Sequence, residues 1–240
     1  MIYQVIVLST PAISQDDSTK FKSITISLGG MCAVPLGDFY YNNDPMLALG
    51  INGAILYHPR KANKFFFGFG LSYLNYGIES YTREVIIDST PIDVKTIRNY
   101  NIYFPYFDIR IMPWQNMIIV PVFDFFIGPR GFNTVSSYSS DDDLSFLQFL
   151  LGTDNNKEVI KEKEFKNWSW GYGFSVGANA HIGNALEFEA LIGYVDGGET
   201  EFIRKGDISR NYATGNLDYQ VTKSDSDMIT LELAIKLNLF

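Results

Sequence analysis

Apolar and polar residues alternate with a period of two along much of this chain, which is the pattern of β-strands with two unlike faces. The run from Trp168 to Ile182 shows it best. Its even positions are Trp168, Trp170, Tyr172, Phe174, Val176, Ala178, Ala180 and Ile182; its odd positions are Ser169, Gly171, Gly173, Ser175, Gly177, Asn179 and His181. From Ile229 to Leu239 every second residue is Ile or Leu, with Thr230, Glu232, Ala234, Lys236 and Asn238 between them. Leu186, Phe188, Ala190, Ile192 and Tyr194 likewise oppose Glu187, Glu189 and Gly193, and Phe65, Phe67, Phe69, Leu71 and Tyr73 oppose Gly68, Gly70 and Ser72. Fainter versions run over 23–34 and 46–57. Two further runs, 99–112 and 117–128, are apolar on both faces and contain Pro105 and Pro121, each of which deletes a ladder donor. Irregular pairing is expected in both, with Asp108, Arg110 and Asp124 on the inward face.

The non-apolar faces are built of Gly, Ser, Ala and Asn rather than the Lys, Glu and Thr of a solvated sheet. Small residues suit the inside of a narrow barrel, where side chains from all strands converge. The bulky face must then point outward, which is stable only in lipid. Connection lengths agree. The links 58–64, 113–116 and 183–184 are short, whereas 35–45, 80–98, 129–167 and 197–225 are long and polar. The expectation is an all-β fold: an eight-stranded antiparallel up-and-down transmembrane β-barrel with short periplasmic turns and long extracellular loops. It would lie in the outer membrane of a Gram-negative bacterium with both termini periplasmic. Interfacial aromatics are expected at strand ends, namely Tyr73, Trp168, Trp170 and Tyr194 at the outer ends and Tyr57 and Trp114 at the inner ones.

Composition narrows the picture. Aromatics reach 15% and charged residues only 19% of 240 residues, the latter below the roughly 25% usual in soluble domains. A net charge of −8 argues against a nucleic-acid partner. The single cysteine, Cys32, excludes an intrachain disulfide and a multi-cysteine metal site. No window has the ~20 uninterrupted apolar residues of a spanning helix. The apolar run 2–8, followed by Ala12 and Ser14 in small-x-small spacing, reads as a signal peptide over 1–14 that lacks its basic start. A periplasmic lead-in over 15–22 and a single barrel domain over 23–240 follow.

Gly70-Leu71-Ser72-Tyr73-Leu74-Asn75-Tyr76-Gly77 resembles the "GLxYxxxG" strand of the Bacteroidetes-type outer-membrane β-barrel domain family, which includes PorT-like proteins. Asn99 to Pro105 is similar to the family's fourth strand with its "IP" step, and Pro121 with Gly128-Pro129 to its fifth. The resemblance spans about 20–240 and implies a small outer-membrane barrel, with secretion or gliding machinery among the associations of some members. Phe240 is a C-terminal assembly signal of the kind read by the barrel assembly machinery during biogenesis. Asn238 and Lys236 depart from the apolar residues usual in step with that Phe.

Candidate chemistry concentrates in the lumen, where Asp108, Arg110, Asp124, Glu187, Glu189, Glu232 and Lys236 form a charge network. A proton or ion pathway is one reading, and a set of ion pairs that fills a barrel too narrow for a pore is the favoured one. Catalytic residues are not expected. Only His58 and His181 are present, and Ser175 lies about 20 Å from His181 by strand rise. No cofactor is expected, and no metal: Asp141-Asp142-Asp143 lacks the glycine of a calcium loop. Leu144 to Leu151 is an apolar stretch suited to a mouth-covering helix or a partner patch, and 157–166 to an extension of the strand walls. These residues point to a structural or partner-binding barrel whose extracellular loops do the binding, with a small-solute channel or ligand-binding barrel as the alternative.

Overall fold

In a computed structural model the described residues are 24–42, 47–59, 64–87, 90–114, 117–139, 160–182, 185–210 and 217–239. The expectations for the signal segment, the lead-in, Asp141–Asp143, Leu144–Leu151 and Phe240 lie outside them. The strands are β1 (Ile24–Pro35), β2 (Ala48–Tyr57), β3 (Phe65–Ile87), β4 (Thr90–Ile111), β5 (Ile119–Ser139), β6 (Ile160–Ile182), β7 (Leu186–Asp196), β8 (Glu199–Arg210), β9 (Leu217–Asp225) and β10 (Met228–Leu239), with a short helix α1 (Gly37–Asn42) after β1.

Eight strands close into a barrel in the order β1-β10-β7-β6-β5-β4-β3-β2, and β8-β9 form a separate hairpin. Each strand pairs antiparallel with its neighbours, and β1 seals against β10 from Ile24↔Leu239 to Pro35↔Met228. Closure leaves no open edge inside the barrel wall. The alternation read from the sequence is the one that faces in and out. Along β10 the burial pattern switches at every residue from Met228 to Leu237. Outward residues such as Leu28, Phe69, Trp170 and Ile235 are all more than 60% exposed, as a continuous apolar belt.

Glycines on the inner faces make room for large neighbours. A Cβ on Gly70 would fall 2.2 Å from the Tyr106 ring, and one on Gly173 would fall 2.7 Å from Phe126. The small-residue face is therefore complementary to a few lumenal aromatics rather than uniformly small.

Two expectations need correction. Residues 80–98 and 129–167 are not simply loops: β3 and β4 remain paired to Ile87↔Thr90, and β5 and β6 to Tyr138↔Ile160. β2 leaves β3 at Leu49↔Asn75, so β3 runs on for about 12 residues, roughly 40 Å at strand rise. A β3-β4-β5-β6 wall thus projects beyond the barrel, and β8 packs against β5 and β6 of that wall. The 197–225 link is mostly the β8-β9 hairpin. Period two does not by itself separate a strand in the barrel wall from one that continues past it. The 157–166 stretch extends the strand wall from Ile160 onward.

Irregular pairing, expected in both proline-bearing runs, is present at Pro105 and absent at Pro121. Bridging between β4 and β5 is interrupted between Tyr103↔Gly131 and Phe107↔Ile127, around Pro105. Pro121 pairs with Ala178 with no break in the ladder. The bulges fall elsewhere, between Asn75 and Gly77 and between Thr134 and Val135.

Candidate functional site

The lumen is layered. At the loop end an apolar cluster is built from the strands and from two elements that fold inward. Phe39 of α1 is fully buried. It stands edge-on to Phe132 at 5.9 Å and to Phe202 of β8 at 4.9 Å, and tilts on Tyr76 at 5.7 Å. The helix is too short to be stable alone; burying one Phe side chain, worth about 1.5–3 kcal/mol, anchors it. Toward the turns a second cluster runs from Leu56, Phe66, Met112 and Val120 up to Val122 and Leu191, with His58 stacked on Phe66 at 4.2 Å.

The charged residues lie inside, and all are buried. On β4, Arg110 donates to Asp124 of the adjacent strand from Nε and from a terminal nitrogen, at 2.6 and 2.8 Å. Its other terminal nitrogen reaches Glu189 on β7 at 2.8 Å. Lys236 on β10 lies 3.3 Å from Glu189 and 3.6 Å from Glu187. Asn179 and Asn238 donate to Glu187 at 3.1 and 2.6 Å, and Ser175 donates to Asp124 at 3.2 Å. These bonds compensate the desolvation that buried ions suffer. His181, at the turn end and 37% exposed, approaches Glu187 at 3.2 Å.

Asp108 and Glu232 stand apart from these pairs. Glu232 accepts one bond, from Asn52 at 2.8 Å. Asn52 in turn accepts from Ser72 at 2.8 Å and Tyr106 at 2.9 Å. Asp108, 3% exposed, has an Oδ1 without a hydrogen-bond partner. Both carboxylates line a cavity whose space for water centres is about 50 Å³, together with Phe104, Tyr106, Phe126 and Arg130. A single water needs roughly 10–15 Å³, so the cavity holds a few water-sized atoms. Arg130 is buried at its rim, donating to the Ser226 carbonyl and lying 5.2 Å over the Phe132 ring.

Among the described residues no group of three metal-ligating side chains converges. Ser175 is hydrogen-bonded to Asp124, and His181 lies near Glu187 instead. Asn52, Ser72, Tyr106, Asn179 and Arg130 were not singled out as site residues from the sequence; the first four sit on inward positions of runs that the sequence marks, and Arg130 fell in the stretch read as a loop. Their importance comes from what they meet across the lumen.

Of the sequence-predicted strand-end aromatics, Tyr57 and Trp114 lie at the turn end, and Trp168 and Trp170 at the loop end, all well exposed. Tyr73 is half-buried and bonds Asn101 at 2.7 Å. Tyr194 is half-buried and bonds Asp227 at 2.8 Å. Cys32 is a free, half-buried thiol on β1.

No protein-family profile matches the chain, and no curated protein matches it. Solved structures of similar shape are outer-membrane proteins. A major outer membrane protein of Thermus thermophilus is 8% identical with a TM-score of 0.48, covering 90% of this chain and 99% of that one. Neisserial surface protein A is 9% identical at TM-score 0.46, with coverage of 90% and 97%. The outer membrane protein OprG of Pseudomonas aeruginosa is 14% identical at 0.44, with coverage of 90% and 95%.

Proposed function

We propose that this chain is an outer-membrane β-barrel with a structural or partner-binding, non-catalytic role, carried by the wall and hairpin at its loop end. The observation that carries the location is the inversion of the barrel, polar and charged within and apolar without. Along β10 the outward residues Ile229 to Leu239 cover about 34 Å of strand, or roughly 25 Å along the axis at a strand tilt near 40°, which matches the apolar band of known membrane barrels. An apolar belt around a whole barrel far exceeds the few hundred Å² that a soluble monomer exposes.

The asymmetry of the ends supports an orientation. β1 begins and β10 ends on the side of the short turns, as the pairings Ile24↔Leu239 and Ile24↔Tyr57 show; short turns are periplasmic in such barrels and long connections external. Biogenesis would then run through the barrel assembly machinery, with lipid as the standing partner. The Bacteroidetes-type resemblance fits this reading. Its Gly70 is the residue that admits the Tyr106 ring, and its Gly77 sits at the β3 bulge. The charge network and the two apolar clusters favour a closed lumen over the channel alternative.

Fractionation with a heat-modifiability gel tests the location: the protein should pellet with membranes and shift on boiling, and soluble, non-shifting protein would overturn it. Trypsin added to intact cells should cut at the hairpin, where Lys223 is 59% exposed, and leave the barrel intact. Planar-bilayer recording should give no steady conductance; a stable open level would establish the channel instead.

A further inference from the structure

The lumen holds more negative than positive charge. Among the described residues five buried carboxylates face the lumen around its cavity, Asp108, Asp124, Glu187, Glu189 and Glu232, and the buried cations nearest them are Arg110, Lys236 and Arg130; the further buried Arg98 is paired with Glu79 in the projecting wall. Arg110 and Lys236 are committed to Asp124, Glu187 and Glu189. Arg130 is turned to Ser226 and Met228. Five carboxylates against these three cations leave a deficit of two positive charges, and Asp108 and Glu232 are the two carboxylates of the five that no cation among the described residues pairs.

These two come from β4 and β10, which are opposite each other in the eight-strand order, and both line the same cavity. Three rings in mutual contact line the same cavity: Phe104 and Tyr106 at 5.4 Å, Phe104 and Phe126 at 5.9 Å, Tyr106 and Phe126 at 5.6 Å. Asn52 is held by Ser72 and Tyr106 so that its amide donates to Glu232, which keeps that carboxylate an acceptor toward the cavity.

We propose that this cavity is a binding site for a small organic ammonium ion. Its charged head sits between Asp108 and Glu232, and its carbon atoms lie against Phe104, Tyr106 and Phe126. Carboxylates supply charge-assisted acceptors, and ring faces attract a cation more strongly when it is desolvated. A bare divalent metal fits less well, since no three metal-ligating side chains converge among the described residues. The space, about 50 Å³ for atom centres, limits the ion to a few heavy atoms. This assignment goes beyond the structural role proposed above and does not depend on the identity of any loop-end partner.

The test is equilibrium dialysis of labelled methylammonium against the full chain folded in an uncharged detergent, with the ion present during refolding so that entry is not limiting. One saturable site per barrel is expected, displaced by ethylammonium and not by equal sodium chloride. The Asp108→Asn/Glu232→Gln double variant should bind about tenfold to a hundredfold more weakly, the factor a charge-assisted hydrogen bond carries. Its heat-modifiable band shows that it still folds, and membrane insertion of the wild type is read separately on the same gel. Absence of saturable binding would mean that protons neutralise the pair, and would overturn the proposal. Equal displacement by sodium, or unchanged affinity in the folded double variant, would overturn it too.

Discussion

Arg110 and Asp124 face each other across adjacent strands, joined by two hydrogen bonds of 2.6 and 2.8 Å inside the barrel. Asp124 takes both oxygens into this fork, and Glu189 fills the remaining arm of the guanidinium. Removing Arg110 would therefore strand Asp124 and leave Glu189 with Lys236 as its one cation among the described residues. Arg110→Met is expected to cost about 3–5 kcal/mol, the range for breaking a buried pair by deleting one partner. Arg110→Met with Asp124→Leu should recover part of it. Urea unfolding in lipid vesicles, followed by the gel shift, measures both; a near-neutral single variant would mean that the network carries no stability.

The inner-face glycines make a second, sharper prediction. A Cβ on the inner-face Gly177 would lie 1.9 Å from the Ala190 carbonyl oxygen, a backbone atom of the next strand, whereas one on Gly30, exposed on the outer face of β1, meets nothing within 4 Å. Gly177→Ala should destabilise the barrel by about 1–3 kcal/mol, as overpacking does. Gly30→Ala should stay within about 0.5 kcal/mol of the parent. The pair is compared by the urea midpoint, and equal effects would show that the β6–β7 spacing yields freely.

A third prediction separates lipid from water outside the barrel. Leu233 lies mid-strand on β10 and is 50% exposed. In a bilayer Leu233→Arg should cost about 2–4 kcal/mol, and Tyr57→Arg near the turns only about 0–1 kcal/mol. If the belt faced water, both substitutions would be close to neutral. Folding yields into vesicles, read against urea, distinguish the two cases.

The inward placement of Glu187, Glu189, Glu232 and Lys236 was legible from alternation, and that of Asp108, Arg110 and Asp124 from the charges on one face of runs apolar on both, because side-chain direction in a strand is a local property with a period of two. The same logic marked Trp168 and Trp170 as outward. It did not reveal where β3 and β6 leave the barrel wall, because a strand that continues beyond its neighbour has the same local geometry. Nor did it mark α1, whose six residues depend on Phe39 reaching a cluster supplied by β5 and β8.

The sequence by itself determined the eight barrel strands, their two faces and the asymmetry of the ends. Tertiary structure decided which inward residues meet. Closing the barrel joins Asn52 to Glu232 across 180 positions and Arg110 to Glu189 across 79. The register of every intervening strand sets those distances, and no local pattern encodes that sum. The same closure sets Asp108 against Glu232 on opposite walls, two carboxylates that the sequence marks only as inward and the folded lumen leaves without a counter-charge.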